Sequence, residues 1–451
     1  MINVILAKTH TNGIGLENSL PWKIKDDLKK FKSLTLNKTL LMGRKTIETL
    51  PKLKNRTIDI LSRTVSINDC NYKNKVRNVF SSLDDAINFY LETKEIVFVC
   101  GGAEVYNQMF SKWKNVIDNL YLSDIKKNYE CDTYIKFELS EWTISDKDIY
   151  DEFIFYKLSP TVSDESKYLK LLKEVRFNGE IREGRNGKTY SLFGKNLEFD
   201  LTKGFPVLTY KKMFFRGIVE ELLFFIRGHT DSSLLETKRI NIWKGNTSRE
   251  FLNSNKKEHY NTGSMGPMYG YQWRHFNAKY NYKDSRPEEE GLDQLKQVIY
   301  KIRNEPNSRR IILTDYNPLQ SDEGVLYPCH SIIIQFYVSG DYLDMSCYNR
   351  SQDLFLGTPF NITSSSLLLT LIAQITDKKP RRLVMNLGDC HIYDSHLNSV
   401  YIALSRIPYR FPSLCIKKKL CRIEDIELLE YKDFELVNYD SHGKIKARMI
   451  S

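Results

Sequence analysis

Two stretches of this chain carry side chains able to do covalent or proton chemistry. Tyr327-Pro328-Cys329-His330 sets a cysteine at the mouth of an apolar strand, with Arg309-Arg310 upstream, Asn349-Arg350-Ser351 downstream and Arg185 further back. On residue type alone such a cysteine is either inert core or a nucleophile. The arginines favour chemistry, because guanidinium groups lower a thiol pKa and together clamp a phosphate. Near the N-terminus, Gly13-Ile14-Gly15 and Leu20-Pro21-Trp22 form a flexible loop ending in a turn, and Asp27 then opens a helix bearing Leu28 and Phe31. A carboxyl in an apolar slot beside Trp and Phe has its pKa raised toward neutrality, which poises it as an acid. The alternative is that Asp26-Asp27 only caps the helix.

Further groups gather at strand-to-helix junctions. Met42-Gly43-Arg44-Lys45-Thr46 combines a glycine turn with two cations where backbone N–H groups and the helix dipole favour a phosphate. Arg63 follows another strand end, and Cys100-Gly101-Gly102 lets a backbone approach a ligand closely.

The elements that must position these groups follow from hydrophobic patterning. Over residues 1–158 short apolar runs alternate with helical patterns, which predicts an α/β domain with a mostly parallel sheet. Strands are expected at 2–7, 39–42, 57–61, 96–100 and 120–125, and helices at 26–34, 44–50, 83–91 and 103–110. Residues 159–167 (SPTVSDESK) read as a short linker. Residues 168–451 have α+β grammar, with helices expected at 168–178, 215–227 and 364–375 and strands at 310–316, 331–338 and 342–348. At 451 residues two or three cores are expected, from a prior of about 150 residues per domain.

Composition narrows the classes. Hydrophobic residues at 41% and charged residues at 27% are globular values, which excludes a disordered chain. No window approaches the roughly 18 apolar residues of a membrane span, and the N-terminus lacks a leader pattern, so a cytoplasmic protein is expected. The 8 cysteines are scattered without C-x-x-C or zinc spacing, which suits a reducing compartment and predicts no metal. Lys and Arg number 67 against 56 acidic residues, giving +11, which fits polyanionic small substrates or nucleic acid equally.

Residues 1–158 resemble the dihydrofolate reductases through GIGLENSLPW, DDLKKFKSLT, LLMGRKT, NRTIDILSR, VFVCGGAEVY and CDTYI. That resemblance implies that Asp27 is the pterin-ring acid, with Trp22 and the Ser123 hydroxyl beside it. It makes Ile5, Phe31 and Leu50 walls of the folate slot, and Arg56 the cation for the glutamate α-carboxylate. NADPH would lie along Ala7, Ile14, Trp22, Thr46 and Tyr106. Arg44, Lys45, Ser62 and Arg63 would hold its adenosine phosphate end, and Gly101 and Gly102 its nicotinamide and pyrophosphate. Asp59 interrupts a strand expected to be apolar, and nothing in the sequence accounts for it.

Residues 168–451 resemble the thymidylate synthases through FPVLTYKK, EELLFFIRG, GPMYGYQWRHF, SRRIIL, YPCHS, NRSQDLFLGTPFNI and GDCHIY. The resemblance implies that Cys329 adds to C6 of dUMP, and that Arg185, Arg350 and Ser351 grip its phosphate together with the partner subunit's Arg309 and Arg310. Asn361 would read the pyrimidine edge, and His391 and Tyr393 would hold the ribose hydroxyl. Glu221, Tyr269 and His330 would organise water and proton transfers, Trp243 would form part of the folate wall, and Asp353 would lie near the folate. The loop bearing Arg185 is one residue shorter than the family's common form, which keeps Arg182 as an alternative phosphate ligand. CHSIIIQFYV has one residue more, which predicts a bulge. Asn349 stands for the usual Gln, and Ser365 for a common Tyr.

Together the resemblances imply a bifunctional homodimer that takes dUMP, 5,10-methylenetetrahydrofolate, dihydrofolate and NADPH. Two alternatives stay open: the same folds with one activity impaired, or an additional basic RNA-binding role. For the latter, Lys417-Lys418-Lys419 is the small positive run, and a solvated face is its plainer reading.

Overall fold

The computed structural model describes residues 1–51, 53–65, 76–160, 163–184, 187–406 and 408–448. The chain forms two compact units, Met1–Lys173 with Leu404–Ile407, and Glu174–Ala403 with Pro408–Ser451.

The first unit is built in the order β1 (Ile2–Thr9), β2 (Gly13–Gly15), α1 (Lys25–Thr35), β3 (Thr39–Gly43), α2 (Arg44–Thr49), β4 (Thr57–Leu61) and β5 (Asn78–Phe80). There follow α3 (Leu83–Thr93), β6 (Val97–Val99), α4 (Ala103–Ser111), β7 (Ile117–Ile125), β8 (Thr133–Tyr134), β9 (Trp142–Ile149), β10 (Phe153–Pro160) and α5 (Asp164–Asn178). An eight-stranded sheet has the order β5-β4-β3-β6-β1-β7-β10-β9. Its pairs are parallel from β5 to β7 and antiparallel from β7 to β9. Ile2, Val4, Leu6, Leu40, Leu41, Met42, Val97 and Val99 are all buried, the continuous apolar character of strands covered on both faces.

The expected helices and parallel strands are present, with ends shifted by a few residues. Three expectations change. The Gly13-Ile14-Gly15 stretch is a strand paired with β8 rather than a flexible loop, and a Cβ on Gly13 would lie 2.5 Å from Cys131 Sγ. The 159–167 linker is largely absorbed: Ser159 and Pro160 end β10, Asp164–Lys167 begin α5, and 161–162 lie outside the described residues. Polar, Ser-rich composition hid a strand end and a helix start, because Ser163 Oγ accepts the Ser166 N–H at 3.1 Å as a cap would. Asp59 is fully buried but saturated: Arg77 donates to both its oxygens (3.1 and 2.6 Å), Asn78 N–H to Oδ1 (3.1 Å) and Tyr90 OH to Oδ2 (2.6 Å).

The second unit opens with β11 (Glu180–Gly184), β12 (Gly187–Asp200), α6 (Phe215–Ile226), α7 (Ser233–Glu236), α8 (Arg249–Ser254) and α9 (Gly270–His275). It continues with β13 (Tyr280–Asn281), β14 (Arg286–Pro287), α10 (Gln294–Asn304), β15 (Ile312–Thr314), β16 (Ile333–Ser339), β17 (Tyr342–Asp353), α11 (Gly357–Ile375) and β18 (Lys379–Tyr393). It closes with α12 (Leu397–Leu404), β19 (Ser413–Ile416), α13 (Ile423–Glu427) and β20 (Phe434–Val437). The main sheet is β11-β12-β18-β17-β16-β15, parallel only at β17/β18. The greasy segments of α6 and α11 form core, with Leu222 to Ile226 and Leu367 to Leu369 buried.

The extra residue after Cys329 is absorbed before β16 begins. Ser331 takes a left-handed φ of 53°, and its N–H donates to the buried Asn349 Oδ1 at 2.9 Å. Regular pairing starts at Ile333↔Tyr348, so Ile334 and Phe336 still point into the core. Ser365 faces Ser331 with hydroxyls 3.4 Å apart. The departures at 331, 349 and 365 therefore form one buried polar cluster.

Candidate active sites

In the first unit Asp27 lies in the first turn of α1 and is buried. The N-cap is Ile24 and makes no side-chain cap bond, so the capping alternative fails for Asp27. Its partner is instead Ser123 on β7, whose Oγ donates to Oδ1 at 2.6 Å. Exposed Asp26 pairs with Lys29 at 2.8 Å. Burial pushes the Asp27 carboxyl up, and the Ser123 bond opposes this in part. That is the environment of an acid.

Around Asp27 two apolar clusters meet. Trp22 and Ile24 pack with Ile125, Phe153 and Phe155, and Ala7 borders them. Ile5 packs with Leu40, Met42 and Phe98, and Phe31 and Leu50 border that group. Tyr121 borders both clusters, stacking on Phe98 (5.9 Å) and Phe155 (6.3 Å). Sequence reasoning missed it, although it is two residues from Ser123 on β7 and so shares that strand's face. Leu28, in contrast, is exposed.

On the cofactor side, Gly43 N–H donates to Gly101 O at 2.8 Å, and Tyr106 OH donates to Ile5 O at 2.7 Å. Gly101 has φ 111°; a Cβ there would come within 3.2 Å of the Tyr106 ring, and one on Gly102 within 3.3 Å of Thr46 Oγ1. Ile5, Gly43, Thr46, Gly101, Gly102 and Tyr106 thus converge where glycine backbone meets the Tyr106 ring and the Thr46 hydroxyl, and the missing Cβ atoms fit a dinucleotide approaching the backbone there. Lys45 and Arg63 are exposed, whereas Arg44 NH1 is held by Glu48 at 2.9 Å. Ser62 Oγ accepts the N–H groups of Thr64 (3.3 Å) and Val65 (3.2 Å), shaping the turn beside Arg63. Ile14 is half-buried on β2. Arg56 donates to Thr35 Oγ1 (3.2 Å), Lys54 O (2.9 Å) and Lys32 O (3.4 Å), at the C-terminal end of α1.

In the second unit Cys329 is half-buried. Tyr269 OH lies 3.4 Å from its Sγ and accepts its N–H at 3.4 Å, while Ser351 N–H donates to its carbonyl at 3.2 Å. Arg350 Nε donates to Pro328 O at 3.2 Å. β17 therefore braces the cysteine loop from one side. Tyr269 comes from the other side at φ 48°, ahead of Gly270, where a Cβ would lie 2.1 Å from Phe225 O. Burial pushes the thiol up and outweighs the Tyr269 bond and Arg350, so the depressed thiol expected from nearby arginines is corrected. Desolvation of the thiolate is the larger effect, and among the described residues Arg350 is the guanidinium that opposes it.

An aromatic wall stands behind. Tyr269 stacks on Phe225 (5.1 Å) and His330 (4.7 Å), and Trp243 meets it edge-on at 5.8 Å. Trp243 Nε1 donates to Glu221 Oε1 at 2.8 Å. Burial lifts the Glu221 carboxyl to about 7 against that bond, and lowers His330 to about 4, so His330 is neutral at working pH. A carboxyl raised toward neutrality and a neutral imidazole suit groups that take up or release a proton.

The remaining expected residues divide. Asn361 Nδ2 donates to Gln352 Oε1 (3.1 Å), a partner sequence reasoning missed. His391 Nδ1 meets Asp389 Oδ1 at 3.1 Å, with the Tyr393 ring edge-on at 5.2 Å. Arg182 pairs with the same Asp389 at 3.0 Å. Asp353 Oδ1 accepts the Phe355 and Leu356 N–H groups (2.9 and 3.1 Å), which shapes the turn between β17 and α11. Arg309 and Arg310 are exposed. Arg185 lies outside the described residues. Lys417 and Lys418 of the basic run pair with Glu435 (3.1 Å) and Asp433 (2.9 Å). Among the described residues no acidic, histidine and cysteine cluster suits a metal, and no helix is long and apolar enough to cross a membrane.

One chain thus holds two distinct polar constellations in apolar surroundings, a buried carboxyl against a serine hydroxyl and a cysteine against a tyrosine hydroxyl. Residues 1–155 match the family described as dihydrofolate reductase and residues 166–451 that described as thymidylate synthase. Relatives named bifunctional dihydrofolate reductase-thymidylate synthase include those of Paramecium tetraurelia, 35% identical over 99% of this chain and 98% of theirs, and Zea mays, 36% over 99% and 96%. That of Leishmania major is 34% identical over 99% and 94%. The chain belongs to the bifunctional dihydrofolate reductase-thymidylate synthase family.

Proposed function

We infer that the chain makes dTMP from dUMP at Cys329 and reduces the dihydrofolate so formed at Asp27, as a cytoplasmic homodimer. The observation that carries this is that each unit holds its reacting group against one dedicated hydroxyl, Ser123 on Asp27 and Tyr269 on Cys329.

In the reductase unit, Asp27 holds the proton that N5 of dihydrofolate needs to become an electrophilic iminium, and Ser123 fixes its orientation. Ile5, Phe31 and Leu50 exclude water from a flat slot. NADPH, when bound, supplies the hydride. The glycine cradle and Thr46 would carry it, with Lys45, Arg63 and, once released from Glu48, Arg44 toward its phosphate.

In the synthase unit, the Cys329 thiolate adds to C6 of dUMP and makes C5 nucleophilic toward the methylene of methylenetetrahydrofolate. Loss of the C5 proton and hydride transfer from the same folate release dTMP and dihydrofolate. Glu221, Tyr269 and His330 manage the protons, and Trp243 bounds the folate. Asn361 recognises the base, while His391 and Tyr393 hold the ribose. Arg350 and Ser351 take the phosphate with Arg185, and the partner subunit's Arg309 and Arg310 complete the clamp; a phosphate is also what would free Arg182 from Asp389.

The dimer reading is supported by the sheet. β16 buries Ile334 and Phe336 but leaves Ile333 and Tyr337 exposed, beside exposed Ile312 on β15 and Tyr348 on β17. That apolar strip lies close in sequence to Arg309 and Arg310, which are exposed. Mixing a Cys329→Ala variant with an Arg309→Ala, Arg310→Ala variant under subunit exchange should restore activity to about a quarter of wild type, since half the dimers then hold one intact site. A dead mixture with confirmed exchange overturns the shared site.

A further inference from the structure

Asp315, just past the end of β15, is 1% exposed, and neither carboxylate oxygen has a hydrogen-bond partner. Pro267, Met268, Gln272, Asn317, Gln320 and Pro328 line the space around it. The amide donors there are committed elsewhere. Gln272 Nε2 donates to Pro267 O (2.7 Å) and Gln320 Oε1 (2.9 Å), Gln320 Nε2 to Ala278 O (2.8 Å), and Asn317 Nδ2 to Gln320 Oε1 (3.0 Å). A carboxylate enclosed this way is strongly disfavoured as an anion. The network binds its own members and leaves Asp315 out.

The enclosure of the carboxyl also reaches the two loops that carry Cys329 and Tyr269. Pro328, which shares its enclosure, immediately precedes Cys329, and Met268 immediately precedes Tyr269, whose hydroxyl touches the thiol. We propose that Asp315 is a positioning residue for Cys329: a buried carboxyl that competes with the thiol for one negative charge and so sets the pH range in which the nucleophile forms. The proposal rests on Cys329 being the nucleophile.

Charge on Asp315 acts on both Tyr269 and Cys329, raising each, and burial drives the Asp315 carboxyl itself well above its ordinary value. Among the described residues the other charged group acting on the thiol is Arg350 of β17, which favours the thiolate. His330, stacked on Tyr269, stays neutral, and the amides and Ser321 around Asp315 carry no charge. Two acids that repel in one dry pocket titrate as a pair rather than singly. At low pH both are neutral. As pH rises, whichever ionises first holds the other protonated, so an ionised Asp315 delays the thiolate.

The test is the pH dependence of Cys329 alkylation by iodoacetamide in the full-length enzyme, read by peptide mass mapping because Cys415 and Cys421 are exposed. Asp315→Asn and Asp315→Ala should both turn a broad, coupled profile into a single step with a lower midpoint. Alkylation should become about three- to tenfold faster near pH 9, while rates converge near pH 6. A merely structural role would shift the melting temperature without moving the midpoint. Profiles superimposable on wild type in both variants, with the 5-fluoro-dUMP adduct still mapping to Cys329, would overturn the proposal alone. An adduct mapping to another cysteine would instead overturn the nucleophile assignment.

Discussion

Asp59 in the reductase unit and Asp315 in the synthase unit are about equally buried, yet the first accepts four hydrogen bonds and the second none. Asp59 ties β4 to β5 and α3 at the far edge of a sheet and touches no proposed substrate. Asp315 shares its enclosure with Pro328, the residue before the proposed nucleophile Cys329. The contrast extends to the sites. The reductase site has one raised carboxyl with one hydroxyl on it, which suits a single proton and a single hydride. The synthase site has Glu221, His330, Cys329 and Asp315, all moved by burial toward their neutral forms. A reaction that must place and remove protons several times needs groups held near their neutral states, and low dielectric with few partners provides that.

The contrast can be broken at its extremes first. Cys329→Ser should abolish dTMP formation, a loss of about a thousandfold or more, and the 5-fluoro-dUMP adduct with it, while dihydrofolate reduction by NADPH is unchanged. Asp27→Asn should lower dihydrofolate reduction at neutral pH by about 10²–10⁴-fold, with dTMP formation from supplied methylenetetrahydrofolate intact. Equal loss of both activities in either variant would show that the sites are not separate.

Stability probes sharpen the difference between saturated and unsaturated burial. Asp59→Ala leaves the buried Tyr90 hydroxyl and the Asn78 N–H without their acceptor, while half-exposed Arg77 keeps Glu95, so denaturant unfolding of the reductase unit should lose about 2–3 kcal/mol. Synthase activity should survive at denaturant concentrations where reductase activity is lost. A loss below 1 kcal/mol would mean that Asp59 is not the keystone of that edge.

The smallest effect concerns Glu221, whose folded pKa is raised from 4.5 to about 7. Its contribution to stability is full below the unfolded value and is lost as pH rises through about 7, because the folded state resists ionising it. Glu221→Gln removes that loss. The variant should melt several degrees above wild type at pH 8, about 2–4 °C for each kcal/mol, and at nearly the same temperature at pH 4, while synthase turnover falls. A melting difference independent of pH would remove the raised carboxyl from the account.

Asp27 and Cys329 stood out in the sequence because rare chemical types lay within recognisable strings, whereas counting residues did not place the left-handed turn at Ser331, which lies ahead of a regularly paired β16. Asp315 did not stand out. It lay inside an expected strand, and only the loops carrying Pro267-Met268 and Pro328, distant in sequence, decide that it is enclosed. The satisfaction of Asp59 was equally invisible, since Arg77 and Tyr90 arrive from later elements. Arg44 shows the reverse: its cationic type was plain, but its pairing with Glu48 one turn along is set by helix geometry. The long strands β12 and β18 were missed because both mix charged and apolar residues along a hairpin-like pairing. Their register, not their composition, builds the sheet.

The central claim is that dihydrofolate made at Cys329 is consumed at Asp27 of the same protein. It is tested most directly by supplying dUMP, methylenetetrahydrofolate and NADPH, and measuring dTMP, dihydrofolate and NADPH together. The wild-type enzyme should consume one NADPH per dTMP with little dihydrofolate accumulating. Asp27→Asn should accumulate one dihydrofolate per dTMP with NADPH almost untouched, and Cys329→Ser should consume no NADPH until dihydrofolate is added. NADPH consumption persisting at wild-type rate in Asp27→Asn, or dTMP formed by Cys329→Ser, would contradict the account.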